Sequence, residues 1–164
     1  SDKENVVLIG MPSSGKTTIG KILSEKLNKK LIDTDDLIVN KIGMSIKDYM
    51  NNHTEKEFRD VETECVKEAA KMSNVVIATG GGAILRSENV KALKQNGKLY
   101  FLKRDLELLT PTDSRPFSSD LESLKKRYIE RLPIYESVCD RCIDNNGDIL
   151  SAIEAIIGDK RWNY

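Results

Sequence analysis

Short apolar runs alternate with longer amphipathic stretches along this chain, and this alternation predicts a parallel sheet covered by helices on both faces. The first run, Val6–Ile9, is apolar throughout, as expected for a strand that is buried on both sides. A helix is predicted over Lys16–Leu27, with its apolar side chains at helical spacing. The expected fold is therefore α/β, a three-layer sandwich with a five-stranded parallel sheet between helices.

The other predicted strands are short and contain β-branched, leucine or aromatic residues. They lie at Lys30–Asp33, Asn74–Thr79, Leu99–Leu102 and Cys142–Ile143. Between the second and third strands, the pattern Thr54-x-x-Glu57 predicts a capping box at the start of an amphipathic helix.

Local signals also predict where the later helices begin and end. Ser87 is expected to cap the helix before the fourth strand, and Gly97 to end it. A helix that starts near Leu121 is expected to stop at Pro133, because proline lacks the backbone N–H. The last helix is predicted over Asp148–Ile157. Residues 110–120 are polar and aperiodic, which predicts a mobile loop.

The composition narrows the class of protein. The 26 Lys and Arg residues balance the 26 Asp and Glu residues, so no global field favours nucleic acid or an anionic membrane. No apolar run approaches the roughly 20 residues of a membrane helix. The odd number of cysteines argues against a disulfide framework and for the reducing cytoplasm. Cys139 and Cys142 form a C-x-x-C, but a zinc site needs a second ligand pair and His53 is the only histidine. We expect a cytoplasmic monomer.

The strongest motif is Gly10–Thr17, which matches the phosphate-binding pattern G-x-x-x-x-G-K-[ST] without a mismatch. It follows an apolar strand and opens a helix, so loop N–H groups and the helix N-terminus can bind phosphates. Lys16 is expected to reach the β- and γ-phosphates of ATP, and the Thr17 hydroxyl to ligate Mg²⁺. The predicted phosphate contacts are Pro12, Ser13, Ser14, Gly15, Lys16, Thr17 and Thr18.

This loop alone does not separate a kinase from a GTPase, a motor or a regulator. The guanine-binding pattern N-K-x-D is absent, and Asp144–Gly147, the only D-x-x-G, is better explained as a turn. The chain is also too short for the second domain of a motor. A small-molecule kinase is the economical interpretation.

Two further motifs follow predicted strands and should face the phosphate loop, because ligands of such sheets lie beyond the carboxyl ends of the strands. Asp33 and Asp35 follow the second strand, where one carboxylate can hold Mg²⁺ and the other can accept a hydrogen bond from an attacking hydroxyl. Asp36 should point away. Gly80–Gly82 follows the third strand, and glycines there let backbone N–H groups approach a ligand closely. The structural alternative for the Asp33–Asp35 motif is a capping turn, and that for Gly80–Gly82 is a flexible turn.

Three arginines complete the candidate chemistry. Arg59 lies on the capped helix with Glu62 one turn on, Arg115 lies in the predicted loop, and Arg131 lies shortly before Pro133. A guanidinium pairs with both oxygens of a carboxylate or phosphate. Each arginine taken alone is more readily explained as a solvated surface charge.

Together these motifs resemble the shikimate kinase family. They occur in order: Gly10–Thr17 followed by Thr18, Asp33-Thr34-Asp35, Phe58-Arg59 with Glu62, Gly80-Gly81-Gly82, Arg115-Pro116 and Arg131-x-Pro133-x-Tyr135. The resemblance implies one P-loop NTPase domain over residues 1–164, with a lid at about 110–121 and a substrate-binding segment at about 33–62. It implies transfer of the γ-phosphate of Mg-ATP to the 3-hydroxyl of shikimate, which gives shikimate 3-phosphate and ADP for chorismate and aromatic amino acid synthesis.

The resemblance also assigns roles at the transfer centre. Asp35 would bind the reacting hydroxyl, as a base or by orienting it. Lys16 and Arg115, the latter in the lid, would stabilise the transferring phosphoryl group. Asp33 and Thr17 would serve Mg²⁺.

The substrate contacts are implied in the same way. Arg59 and Arg131 would clamp the shikimate carboxylate, and the backbone of Gly80–Gly82 would contact the ring hydroxyls. The chain departs from the family pattern at Thr110-Pro111, where many members carry an arginine against adenine, and at Ser13, which is often glycine.

Two alternatives remain at this stage. One is a kinase of the same fold for another small molecule, such as gluconate or a nucleoside monophosphate. The other is a nucleotide-binding regulator without catalysis, against which Lys16, Asp35 and Arg115 argue.

Overall fold

Five strands form one parallel sheet in this computed structural model, which describes residues 3–109 and 121–159. The strands are β1 (Asn5–Ile9), β2 (Lys30–Asp33), β3 (Val75–Ala78), β4 (Gly97–Lys103) and β5 (Arg141–Asp144). Their order across the sheet is β2-β3-β1-β4-β5, so β1 lies at the centre and the winding direction reverses beside it. A ligand crevice is expected at the carboxyl end of β1 for this reason.

Helices cover both faces of the sheet, so the predicted α/β sandwich is confirmed. They are α1 (Lys16–Leu27), α2 (Thr34–Ile42), α3 (Ile46–Asn52), α4 (Glu55–Ala70), α5 (Ser87–Gln95), α6 (Leu121–Val138) and α7 (Ile149–Ile157). Within residues 3–109 and 121–159, no helix is both long and apolar enough to span a membrane.

The alternating side chains of β1 build two separate cores. Val6 and Leu8 pack with the apolar faces of α1 and α7. Val7 and Ile9 pack on the other side with α4, α5 and α6. Because both faces of the strand are fully buried, its continuous apolar run is explained.

The predicted starts of α4 and α7 agree with the structure, because a side chain caps each of these helices. The Thr54 hydroxyl accepts from the Glu57 N–H at 3.1 Å, and the Glu57 carboxylate accepts from the Thr54 N–H at 2.8 Å, so the capping box is confirmed. Asp148 caps α7 by accepting a hydrogen bond from the backbone N–H of Leu150.

Two predicted helix boundaries are wrong by one residue. Arg86, not Ser87, is the N-cap residue of α5, and its guanidinium is anchored to Asp60 at 2.8 Å. Gly97 begins β4 and does not end α5. A Cβ on Gly97 would lie 2.7 Å from the Leu93 carbonyl oxygen, so glycine is needed for a close approach between helix and strand.

The predicted stop at Pro133 is also wrong, because α6 continues through it to Val138. Proline at this position removes the hydrogen bond to the carbonyl of Ile129, whose side chain is exposed. Beyond it, the fully buried Tyr135 anchors the last turns. Tertiary packing therefore outweighs the local rule.

Candidate active site

A cavity of about 310 Å³ lies at the carboxyl ends of β1, β2 and β3. It joins the phosphate loop to the Asp33–Asp35 segment and to the glycine turn after β3. Its lining residues are Pro12, Ser13, Gly15, Lys16, Thr17, Thr18, Asp33, Asp35, Thr79, Gly80 and Gly81. The motifs that follow three different strands are therefore brought together, as the sequence predicts.

The backbone of the phosphate loop explains its residue types. Gly15 has φ 91° directly before α1, in the left-handed region that glycine tolerates. Ser13 has φ 67°, so the position where the family often has glycine takes the same region here with a non-glycine residue. The loop curls before α1 and leaves the N-terminus of that helix open to the cavity.

Lys16 lies across this loop. Its Nζ donates to the carbonyl oxygens of Gly10 and Met11, each at 2.7 Å, and lies 3.4 Å from Ser14 Oγ. The side chain is nearly buried and lines the cavity. A single positive charge is thus held at the floor of the phosphate site.

Thr17 and Asp33 meet at the opposite wall of the cavity. The Thr17 hydroxyl donates to Asp33 Oδ2 at 3.0 Å, and the backbone N–H of Asp35 donates to Asp33 Oδ1 at 2.8 Å. Burial raises the pKa of Asp33 above its ordinary value, and the nearby charge of Asp35 adds to this. Hard oxygen donors beside a phosphate site fit a Mg²⁺ ion that keeps most of its ligands from phosphates and water.

Elsewhere in residues 3–109 and 121–159, no group of three His, Cys, Asp or Glu side chains could hold a metal ion. A pair such as Thr17 and Asp33 is sufficient where phosphates and water supply the remaining ligands.

Asp35 is half-buried and lines the cavity, whereas Asp36 is exposed, as the sequence predicts. Thr34, between Asp33 and Asp35, is fully buried, and its hydroxyl accepts a hydrogen bond from the Gly80 N–H at 3.1 Å. The segment after β2 is therefore tied directly to the glycine turn after β3. The sequence analysis gave Thr34 no role.

Arg59 lies behind the glycine turn, on α4. Its Nη1 donates to Glu62 Oε1 at 2.8 Å, and its Nη2 lies 3.5 Å from Glu55 Oε1. Arg59 is 6% exposed and Glu62 is fully buried. A Cβ on Gly82 would lie 2.6 Å from Arg59 Cζ, so only glycine lets the backbone approach this guanidinium.

Arg131, on α6, reaches the same turn from the other side and is 4% exposed. Its Nη1 lies 3.2 Å from the position that a Cβ on Gly81 would take. Burial lowers the pKa of Arg131 below its ordinary value, Tyr135 opposes this, and the charge of Arg59 lowers it further. The two guanidiniums therefore lie close enough to repel each other.

Among the described residues, the carboxylates that pair with this cluster contact only one of its two arginines. Arg59 has the buried Glu62 and the exposed Glu55 as partners, whereas Arg131 forms no ion pair with a carboxylate of the described residues. Arg59, Arg131 and Gly82 do not line the cavity itself but stand directly behind its glycine wall. Arg115 and residues 110–120 of the predicted lid (about 110–121) lie outside the described residues.

Asn145 is a site residue that the sequence analysis missed, since it lies in the segment interpreted as a simple turn. Its Nδ2 donates to the carbonyl oxygen of Ser14 at 2.5 Å, and the side chain is 2% exposed. Its own carbonyl accepts from Arg104 Nη1 at 2.8 Å. The loop after β5 thus supports the phosphate loop from behind.

Comparisons with known proteins agree on one family. A family model described as shikimate kinase matches residues 12–158. The shikimate kinase of Caldicellulosiruptor bescii is 43% identical to this chain over an alignment of 164 residues that covers 94% of each protein. The shikimate kinase of Thermodesulfovibrio yellowstonii is 38% identical over 151 residues, 88% of this chain and 87% of the relative.

Solved structures show the same fold. The shikimate kinase of Acinetobacter baumannii, in complex with shikimate, has a TM-score of 0.88 at 30% identity, covering 97% of this chain and 96% of that one. The shikimate kinase of Aquifex aeolicus has a TM-score of 0.81 at 28% identity, covering 95% of both chains.

Proposed function

Since this chain belongs to the shikimate kinase family, we propose that it transfers the γ-phosphate of Mg-ATP to the 3-hydroxyl of shikimate in the cavity beside Lys16 and Asp35. The products are shikimate 3-phosphate and ADP. The observation that carries the proposal for the site is the pair of buried arginines behind the glycine turn, of which Arg131 has no carboxylate partner among the described residues.

A carboxylate substrate fits this charge pattern. Arg59 is paired with the buried Glu62 and the exposed Glu55, whereas Arg131 is buried without a carboxylate partner among the described residues. Burying an unpaired charge is costly, and an anionic ligand would remove the cost. Arg59 and Arg131 come from separate helices, so together they fix both the position and the direction of a carboxylate.

The transfer itself needs little beyond positioning and charge neutralisation. Lys16 and the N-terminus of α1 bind the triphosphate, and Asp35 lies on the cavity wall next to them, where it accepts a hydrogen bond from the attacking hydroxyl. The N–H of Gly80 is held by Thr34, which keeps the glycine backbone in place beside the ring hydroxyls. Arg115 would place a positive charge beside the transferring phosphoryl group and so stabilise it.

We also propose that Mg²⁺ is the ion used, with Thr17 and Asp33 as its protein contacts. When bound with ATP, it would neutralise charge on the β- and γ-phosphates. The pair already lies together at hydrogen-bond distance, and its oxygen donors suit this cation.

We also propose that the enzyme is a monomer and that it acts in the cytoplasm. The large apolar side chains exposed in the described residues are spread over several elements of the chain. Three free cysteines, one of them exposed, suit a reducing compartment.

A coupled assay of ADP release tests the function. Purified protein with Mg-ATP is given shikimate, gluconate or adenosine monophosphate, and the phosphorylated product is identified by mass. We expect ADP release with shikimate and none above background with the other two. The absence of shikimate-dependent ADP would reject the proposal, and release with gluconate alone would favour a different kinase of the same fold.

A further inference from the structure

Tyr135 is fully buried on α6, and its hydroxyl meets the glycine turn. It donates a hydrogen bond to the carbonyl oxygen of Gly81 at 2.5 Å. The ring stacks on Phe101 with centroids 4.8 Å apart and planes 19° apart. The ring is therefore held by the core, while the hydroxyl reaches the wall of the cavity.

The same hydroxyl interacts with Arg131, one turn earlier on the helix. A tyrosine hydroxyl has one donor, and Gly81 takes it, so the oxygen can accept a hydrogen bond from the guanidinium. Tyr135 thus touches both the glycine wall and the arginine behind it. Burial raises the pKa of Tyr135 to about 12, so the donor persists at any pH at which the enzyme is assayed.

The contact with Gly81 also fixes the next N–H group. The Gly81 carbonyl and the Gly82 N–H belong to one planar trans peptide unit and point in opposite directions. Holding the carbonyl therefore sets the direction of the Gly82 N–H. Because Gly81 and Gly82 carry no side chain, their own conformational preference restrains this peptide plane little.

We propose that Tyr135 is a positioning residue that aligns Arg131 with the Gly81–Gly82 peptide and so sets the affinity for the carboxylate-bearing substrate. This inference rests on the proposed role of Arg131 in binding that carboxylate. Tyr135 acts through these groups and makes no contact with phosphate groups in the proposal. Loss of its hydroxyl should therefore weaken the binding of shikimate and leave the binding of ATP unchanged.

The test is Tyr135→Phe, which keeps the stacked ring and removes only the hydroxyl. We expect the KM for shikimate to rise about 10-fold, the scale of a lost hydrogen bond to a charged or buried group. The KM for ATP should stay within about twofold. Tyr100→Phe is the matched control, because the Tyr100 hydroxyl also makes a hydrogen bond, partly buried, to Asp159 at 2.7 Å, remote from the cavity.

A purely structural role is excluded by two measurements. A rise in both KM values together, or no rise in either, would overturn the proposal. A Tyr135→Phe protein that is unfolded at the assay temperature while Tyr100→Phe stays folded would overturn it too, because the hydroxyl would then serve the fold. Thermal unfolding of all variants decides this point.

A double-mutant cycle separates this inference from the proposed function. Arg131→Lys alone should raise the KM for shikimate, and adding Tyr135→Phe should then raise it less than about threefold further. Full multiplication of the two effects would overturn the coupling through Arg131. If Arg131→Lys leaves the KM for shikimate unchanged, the proposed role of Arg131 is wrong and this inference fails with it.

Discussion

Thr17 and Asp33 are joined side chain to side chain, with the threonine hydroxyl donating to Asp33 Oδ2 at 3.0 Å. The other carboxylate oxygen accepts from the Asp35 N–H at 2.8 Å and so caps α2. One carboxylate therefore connects the start of α1 with the start of α2. This connection places Asp35 on the cavity wall at a fixed distance from the phosphate loop.

The first prediction concerns the pH dependence of stability in Asp33→Asn. Burial and the charge of Asp35 raise the pKa of Asp33 above 3.8. The folded protein thus binds this proton more tightly than the unfolded chain does, so ionisation costs stability as the pH rises. We expect Asp33→Asn to gain stability relative to the parent as the pH rises from 3.8 through the raised pKa, without further change above it.

Denaturant unfolding at several pH values, without nucleotide or metal, measures this difference. The same variant should lose Mg²⁺-dependent turnover by about 100-fold or more, the scale of removing one preorganised electrostatic group. A stability difference that shrinks as the pH rises would contradict the cause given for the shift, and full turnover would remove Asp33 from the metal site.

The second prediction is that Asp35→Asn retains nucleotide binding and loses turnover. The amide keeps the size of the side chain and the backbone cap but cannot accept a proton. We expect kcat to fall by about 10²- to 10⁴-fold while the dissociation constant of ADP changes less than about threefold. Asp36→Asn is the matched control, since Asp36 is adjacent but exposed. Retained turnover in Asp35→Asn would show that Asp35 is not the partner of the hydroxyl.

The third prediction concerns the guanidinium fork of Arg59. Its Nη1 is engaged by Glu62 and its Nη2 lies 3.5 Å from the exposed Glu55, so a substrate carboxylate must share the fork with Glu62. A lysine offers one charged nitrogen, which cannot serve both partners with the same geometry. Arg59→Lys should therefore raise the KM for shikimate about 10- to 100-fold and leave ADP binding within about twofold.

Arg86→Lys is the control for this experiment, because Arg86 also makes an ion pair of 2.8 Å, to Asp60, away from the cavity. It should behave like the parent in both binding measurements. Equal losses for both ligands in Arg59→Lys would instead assign Arg59 a role in overall structure.

The sequence predicts those parts of the fold that local signals determine. Lys16–Leu27 and Lys30–Asp33 were predicted with the observed bounds, because a glycine loop, an apolar helix face and a short apolar segment are all local signals. The Thr54 capping box is local as well. Pro133 shows the limit, because its effect on α6 is decided by the burial of Tyr135 against distant strands.

The site also contains contacts that the sequence predicts and contacts that it does not. The approach of Asp33 to Thr17 follows from the rule that the carboxyl ends of parallel strands share one edge. The contact of Asn145 with Ser14 spans 131 residues, and that of Tyr135 with Gly81 spans 54. No sequence pattern near Asn145 or Tyr135 predicts which residue it contacts. Such contacts emerge only once the sheet order is known.

The fourth prediction tests the support of the phosphate loop by Asn145. The Ser14 carbonyl and the Gly15 N–H belong to one peptide plane, so the hydrogen bond from Asn145 Nδ2 sets the direction of an N–H that we expect to bind phosphate. Asn145→Ala removes this restraint and leaves a buried carbonyl without its partner. We expect the dissociation constant of ADP to rise about 5- to 10-fold, with the KM for shikimate unchanged.

Asn96→Ala provides the comparison, because Asn96 also donates through Nδ2 to a carbonyl, that of Met72 at 3.2 Å, but at the opposite end of the sheet. Isothermal titration with ADP separates the two variants. Because the Asn145 backbone is independently held by Lys103 at 2.9 Å and by Arg104 at 2.8 Å, the loop after β5 should keep its place when the side chain is removed. Equal ADP affinity in both variants would therefore mean that the phosphate loop keeps its shape without help from β5.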